Sequence, residues 1–151
     1  MNIIIKELLN RIEEEEQKFG DSIFTQNGKV NEEEIVFFNN WISKIFMEGF
    51  AEYIDFVNLI NGLNFNGLYL YSLNRICEYN IFESNDTWWE NEELKEYIFF
   101  GDDNISWYCL NRNNGGYFVL DKPSGEIMEK YESFTEIIIK ALKIAIGEEI
   151  K

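Results

Sequence analysis

The chain has 151 residues, of which 46% are hydrophobic and 17% aromatic, so it is long and apolar enough to bury the core of one folded domain. Its 28 acidic residues outnumber the 13 basic ones and give a formal net charge of -15, which repels nucleic-acid phosphates and favours a basic protein partner. It contains no histidine, and therefore lacks the commonest zinc ligand and the usual base of serine and cysteine nucleophiles. We expect a folded chain with no direct nucleic-acid partner.

The cysteines and the first residues indicate the compartment. Cys77 and Cys109 lack the CxxC spacing of metal and redox motifs. Near the start, Lys6 and Glu7 follow only three consecutive isoleucines, far fewer than the apolar run of a signal peptide or a membrane span. We therefore expect free thiols, no membrane association and a cytoplasmic location.

Three amphipathic helices are predicted before residue 62. Apolar residues recur at helical spacing over residues 3 to 19, behind a potential N-cap at Asn2. Residues 31 to 46 open with an asparagine cap and three glutamates, and continue with the same period. A third apolar stripe covers residues 50 to 60, and Gly62 is expected to end that helix as a left-handed cap.

From residue 67 the apolar pattern changes from helical to alternating. This change predicts a turn at residues 64 to 67 and a strand at residues 68 to 73. Residues 84 to 87 are interpreted as the cap of a short helix that follows them. A strand at residues 98 to 100 and a turn at residues 101 to 104 come next.

The last third of the chain predicts an antiparallel meander and a helix. Short polar segments separate three predicted strands, at residues 105 to 110, 117 to 120 and 126 to 131. Strand spacing leads us to expect four side chains beneath the C-terminal helix, namely Trp107, Cys109, Tyr117 and Val119. A capping box at Ser133 and Glu136 begins that helix, which ends near Gly147.

The order of these elements predicts the fold class. Helices come first, then strands, then one helix, which favours an α+β fold over an alternating parallel one. We expect N-terminal helices, an antiparallel sheet with a three-strand meander, and a C-terminal helix packed on the sheet. No repeat or linker divides the chain, so residues 1 to 151 are predicted to form a single domain.

Catalytic and metal-binding motifs are scarce. Asp102, Asp103 and Asn104 follow a predicted strand, where carboxylates can bind a hard cation or act in acid–base catalysis. As a calcium loop the segment lacks two required residues, because Trp107 stands in place of glycine and Asn113 in place of the bidentate glutamate. Asp and Asn also favour turns, which is the alternative explanation. No phosphate-binding glycine motif is present, so we expect no cofactor, no metal and no enzyme activity.

Acidic residues beside tryptophan indicate a candidate partner surface. Trp88 and Trp89 are adjacent, so in a strand or a helix their side chains point in different directions, and one can be core while the other is exposed. An exposed tryptophan among acids suits a binding hot spot, with ordinary core packing as the alternative. We predict a surface on the two loops that flank the strand at residues 98 to 100, formed by Asp86, Trp89, Glu90, Asp102 and Asp103.

The same region carries a family resemblance. Its most specific parts are Phe100-Gly101-Asp102, Ser106-Trp107-Tyr108 and Leu120-Asp121-Lys122-Pro123-Ser124-Gly125, after Asn61-Gly62 and Trp88-Trp89. In these motifs the chain resembles the SUKH superfamily, particularly its YrhA-like branch, over about residues 50 to 145. Many members carry a Leu-Pro pair before the glycine-ended turn, whereas the only proline here is Pro123, so the N-terminal third matches less closely.

The resemblance implies an α+β fold and, in bacteria, frequent service as immunity proteins that bind and neutralise a cognate toxin domain. The acidic composition agrees with that role, since a toxin that attacks nucleic acid must have a cationic cleft. We therefore expect a cytoplasmic immunity protein that binds a basic toxin domain stoichiometrically. Two alternatives stay open: a regulatory interaction module without a toxin partner, and a small carboxylate-dependent enzyme.

Overall fold

Helices lie on both faces of a six-stranded antiparallel sheet in the computed structural model, which describes residues 2 to 148. Within those residues the α-helices are α1 (Ile3–Gln17), α2 (Glu32–Ser43), α3 (Ala51–Leu59), α4 (Ile81–Trp88) and α5 (Phe134–Ile146). The strands are β1 (Leu63–Phe65), β2 (Leu68–Leu70), β3 (Tyr97–Asp102), β4 (Ser106–Asn111), β5 (Tyr117–Asp121) and β6 (Ile127–Tyr131), which pair in chain order. The predicted α+β fold, with α5 packed on the sheet, is confirmed.

Local hydrogen bonds start α1, α2 and α5 where the sequence predicts. The side chain of Asn2 accepts from the backbone N–H of Ile4 at 2.7 Å and begins α1. Asn31 and Glu34 form the complete capping box of α2. These caps satisfy N–H groups that have no partner inside the helix, which is why short polar motifs locate the helix starts accurately.

The end of α3 differs from the prediction. The helix stops at Leu59, and Ile60 is already extended, so Gly62 is not its left-handed cap. Gly62 does have a positive φ of 88°, in the turn that leads into β1. A Cβ atom there would lie 2.8 Å from the Cβ of Ser72. Glycine is needed at this position because the chain after β2 passes directly against it.

The turn predicted at residues 64 to 67 is present but shorter, because residues 64 and 65 belong to the first strand of a hairpin. β1 and β2 pair through a two-residue turn formed by Asn66 and Gly67, whose φ angles are 48° and 82°. Positive φ at both positions is the geometry that lets a two-residue turn follow the twist of its strands. β2 ends at Leu70, so the predicted strand at residues 68 to 73 is three residues too long.

The interpretation of residues 84 to 87 as a helix cap is wrong. They lie inside α4, which begins after Asn80. The side chain of Asn80 accepts from the N–H of Glu83 at 2.9 Å and is fully buried. The fully buried apolar residues of this two-turn helix are Ile81 and Phe82, which are adjacent and too few to give a helical period in the sequence.

Different helices cover the two faces of the meander. The ring of Trp107 lies 5.4 Å from that of Trp88 in α4, whereas the ring of Tyr117 lies 6.3 Å from that of Phe134 in α5. Side chains alternate along a strand and opposite residues share a face, so the pairing register decides which helix each one meets. The prediction of one face beneath α5 is wrong for Trp107 and Cys109 and correct for Tyr117 and Val119.

The structure tests the expectation that both cysteines are free. Cys77 and Cys109 are both free thiols, as predicted. Burial raises the pKa of the Cys109 thiol well above its usual value, so it stays protonated and inert.

Between residues 2 and 148, no helix has both the length and the apolar character to cross a bilayer.

A buried asparagine fixes α4 to the sheet. The side chain of Asn85 donates to the carbonyl of Phe99 at 2.8 Å and accepts from its N–H at 2.7 Å. β2 ends at Leu70, which pairs with Gly101, so no β2 residue pairs with Phe99. The pairing of β3 with β4 also shifts its register between Phe99 and Gly101. The Asn85 amide therefore takes the place of a missing strand residue and holds α4 against β3.

We expect Asn85→Ala to lower the free energy of unfolding by about 3 kcal/mol, because it leaves two buried backbone groups of Phe99 without partners. Chemical denaturation followed by tryptophan fluorescence measures this loss. Asn58→Ala is the matched control, since Asn58 is exposed on α3. A loss below about 1 kcal/mol for Asn85→Ala would show that the hydrogen bonds between Asn85 and Phe99 do not hold α4 in place.

Candidate partner-binding site

A groove of about 420 Å³ opens between β2 and α4, on the α4 side of the sheet. Aromatic rings and carboxylates line it together. We call it the tyrosine groove and define it by Tyr69, Tyr71, Glu78, Tyr79, Glu83, Trp88 and Asp102. A groove of this kind favours a cationic ligand, because aromatic faces and carboxylates both attract positive charge.

The floor of the groove is a fixed chain of hydrogen bonds. Tyr71 accepts from the indole N–H of Trp88 at 2.9 Å and donates its own hydroxyl proton to Asp102. The other carboxylate oxygen of Asp102 accepts from the ammonium group of Lys122 at 3.0 Å. Burial, and then the charge of Asp102, raise the pKa of Tyr71 well above its usual value. Tyr71 therefore remains a protonated donor at neutral pH, and the floor is rigid.

Two tyrosines form one wall. The rings of Tyr69 and Tyr79 lie 5.2 Å apart, and Tyr69 is 36% exposed. The hydroxyl of Tyr79 accepts from the side-chain amide of Asn27 at 2.9 Å, which fixes the direction of that ring. Tyr69 stands directly opposite Asp102 in the pairing of β2 with β3. The wall thus presents aromatic surface beside the carboxylates.

The negative charge of the groove is concentrated at its opening. Asp102 is paired with Lys122, and both side chains are mostly buried. Glu78 and Glu83 are exposed. One oxygen of Glu83 accepts from the side chain of Asn80 at 3.0 Å. The charge that an incoming molecule meets is therefore that of the two glutamates, while the charge of Asp102 is largely offset by its own lysine.

The structure separates the residues predicted for the partner surface. Asp102 lines the groove. Asp86 is exposed on α4, and Glu90 is exposed just after that helix. Trp89 is half-buried, because its ring stacks on that of Trp41 at 6.0 Å and its N–H donates to the carbonyl of Tyr97 at 2.7 Å. Trp89 is thus held on the α2 side of α4, and its neighbour Trp88 lines the groove.

Asp103 lies inside the turn between β3 and β4 and is only 7% exposed. One oxygen accepts from the N–H groups of Ile105 and Ser106, at 3.0 Å and 2.9 Å. The other accepts from the hydroxyl of Tyr108 at 2.8 Å. The expectation that Asp103 presents its charge to a partner is therefore corrected: its carboxylate builds the turn, as Asp does when it hydrogen-bonds nearby backbone.

Six of the seven residues that define the groove were not predicted from the sequence, namely Tyr69, Tyr71, Glu78, Tyr79, Glu83 and Trp88. For Tyr69 a signal existed, since the alternation in Leu68-Tyr69-Leu70 places the tyrosine on the opposite face from the two buried leucines. The segment that holds Glu78 and Tyr79 has no apolar period, and its strand-like contact among residues 2 to 148 is the isolated bridge between Ser72 and Asn80. Its position depends on contacts that are distant in sequence.

The arrangement is suited to binding. Within residues 2 to 148, no group of three or more Cys, Asp or Glu side chains is placed to hold a metal ion. The groove combines fixed rings and carboxylates, which recognise a cation by stacking and ion pairing. Its floor is already hydrogen-bonded, so a ligand meets a preformed surface.

Comparisons with known proteins show a shared fold. No protein-family model and no curated protein matches the sequence. Among solved structures, the chain is similar to the crystal structure of a protein from Pseudomonas syringae pv. tomato, with a TM-score of 0.59 and 14% sequence identity, over 92% of this chain and 99% of that chain. At this identity the likeness concerns the fold alone.

The different positions of two predicted surface residues give a stability test. We expect Asp103→Ala to lower the free energy of unfolding by about 2 kcal/mol or more, because three donors lose their acceptor. Asp86→Ala removes the same group from an exposed site, so it should change stability by less than about 0.5 kcal/mol. Urea denaturation of both variants measures the difference. Equal effects would contradict the structural role of Asp103.

Proposed function

We propose that this chain is an immunity protein that binds a cognate bacterial toxin domain and neutralises it stoichiometrically. The tyrosine groove is the observation that carries the proposal, because it joins aromatic surface and negative charge in a preformed site. Binding hot spots have this character, since large rings supply contact area and fixed polar groups supply specificity. The resemblance of the sequence to the SUKH superfamily supports the same function.

The charge of the whole chain supports a basic partner. A formal charge of -15 on 151 residues accelerates encounter with a cationic surface and repels competing anions. If the toxin is a nuclease, its substrate cleft must attract phosphates, so an acidic inhibitor binds at the cleft or beside it. Asp86 and Glu90 extend the negative surface along α4 and contribute to this steering.

A regulatory interaction module without a toxin partner would use the same chemistry. The two functions differ in their consequence for the cell, because only an immunity protein abolishes a specific toxicity. The candidate toxin is the C-terminal domain of a large secreted protein encoded directly upstream. Its presence at that position would favour the immunity function, and its absence would favour the regulatory module.

Co-expression tests the proposal. We expect the chain to rescue cells that produce the candidate toxin domain and to co-purify with it at equal stoichiometry. In a reconstituted toxin assay, inhibition should saturate at a fixed ratio of the two proteins, because an inhibitor that acts by binding is consumed by its target. Size-exclusion chromatography with light scattering gives the stoichiometry.

Two outcomes would contradict the proposal. Unchanged toxicity in the presence of the folded chain would remove the immunity function. Progressive inactivation of a large excess of toxin would indicate catalytic turnover by the chain and return the carboxylate-dependent enzyme as the better hypothesis.

A further inference from the structure

We infer that the tyrosine groove is a binding site for an arginine side chain, held by the carboxylates of Glu78 and Glu83 and by the rings of Tyr69 and Tyr79. The inference deepens the proposed function, because it names the group by which a basic partner is recognised. It concerns the chemistry of the groove, however, and an isolated peptide can test it without the toxin.

The shape and composition of the groove favour a guanidinium group. A volume of about 420 Å³ is several times larger than a single side-chain head group requires, so the stem of the residue enters as well. Guanidinium is planar, weakly hydrated and able to stack on an aromatic face while it donates to carboxylates. The ammonium group of lysine is a strongly hydrated point charge and makes poorer use of the two rings.

The chain already holds one of its own cations in this way. The ammonium group of Lys122 lies 5.0 Å from the centre of the Trp88 ring and 3.0 Å from the carboxylate of Asp102. Asp102 also accepts from Tyr71, so both of its oxygens are engaged. Asp102 is therefore a positioning residue of the floor, and an incoming cation pairs with the glutamates instead.

The two glutamates have acceptor capacity left. Among the described residues, the carboxylate of Glu78 has no hydrogen-bond donor, and Glu83 uses only one oxygen, toward Asn80. Because Asn80 holds that oxygen and caps α4, the Glu83 side chain is fixed in direction. An arginine bound here meets acceptors that do not have to be released from other partners, which keeps the cost of binding small.

The rings opposite these acceptors are also fixed. Tyr79 is held by the amide of Asn27, and Tyr69 packs on Tyr79. Tyr69 is the more exposed of the two rings and offers the larger stacking surface, and Tyr79 lines the groove beside it. A fixed aromatic ring near the Glu83 carboxylate, which Asn80 holds, favours a planar cation over a spherical one.

Peptide titration of the full chain tests the inference. The probes are acetyl-Gly-Arg-Gly-amide and its counterparts with citrulline and with lysine, followed by NMR chemical shifts. We expect the arginine peptide to shift the signals of Tyr69, Glu78, Tyr79 and Glu83. Citrulline has the same shape without the charge, and should bind about tenfold more weakly because the charge-assisted hydrogen bonds are lost. The lysine peptide should also bind more weakly than the arginine peptide.

A pair of charge-matched variants provides the control. Glu78→Gln with Glu83→Gln should weaken arginine binding about tenfold. Glu126→Gln with Glu132→Gln makes the same change of net charge at exposed positions beside β6, at the far edge of the sheet, and should leave binding within about twofold of the original. Equal weakening by both pairs would show that general attraction, not the groove, binds the peptide.

Other results would also overturn the inference. Equal affinity for arginine and citrulline peptides, or shifts located away from the groove, would exclude a guanidinium site. If the chain neutralises its toxin but the groove does not bind the arginine peptide, the inference fails and the proposed function stands. If the peptide binds in the groove but the toxin is not neutralised, the proposed function fails and the arginine site stands.

Discussion

The bidentate hydrogen bond between the Asn85 side chain and the backbone of Phe99 is the interaction on which the site depends. A strand as short as β2 leaves part of the edge of β3 without a partner strand, and an unpaired backbone group in a dry core is costly. The side chain of Asn85, which belongs to α4, bonds these backbone groups of Phe99 instead. Because the bond forms at one register only, it fixes both the position and the rotation of α4 above the sheet.

The tyrosine groove follows from that placement. With α4 fixed, Trp88 reaches the hydroxyl of Tyr71, and Glu83 stands at the opening. The short β2 contributes in a second way. The N–H of Tyr71 still donates to the carbonyl of Phe100 at 2.9 Å, and the segment between that point and α4 carries Glu78 and Tyr79 to the wall of the groove. Because β2 ends early, the backbone of Phe99 is left for Asn85 to bond, and space is left for the groove.

The acidic residues fall into two groups, buried and exposed, which have different roles. Asp102 and Asp103 are inside the fold, where one is balanced by Lys122 and the other closes the turn between β3 and β4. Glu78 and Glu83 remain at the surface and keep their charge available to a partner. Carboxylates with the same chemistry therefore differ in role, because the low-dielectric interior demands a compensating group and the surface does not.

The sequence predicted what local interactions determine. Caps at Asn2, Asn31 and Ser133 located three helix starts, because each cap is a contact within four residues. The polar segments of the meander likewise predicted β4, β5 and β6 almost to the residue. The face of the sheet that each strand presents to a helix was not accessible in this way, since it depends on pairing register between strands.

The candidate site was predicted only in part, for the same reason. Of the five predicted residues, Asp102 lines the groove. Asp103 accepts from N–H groups two and three residues away, which is a local turn interaction, but its bond to Tyr108 forms between neighbouring strands. Asp102 is paired with Lys122, which is 20 residues away in sequence. Tyr79 was missed because its ring is placed by Asn27, a contact between segments 52 residues apart.

Hydrogen exchange of the chain, alone and in complex with the toxin domain, tests the central claim most directly. If the tyrosine groove is the partner surface, binding should slow amide exchange in residues 69 to 88, from β2 through α4, and leave β6 at the other edge of the sheet unchanged. Protection confined to β6 or to α1, with unaltered exchange from β2 through α4, would contradict the account and place the partner on a different surface.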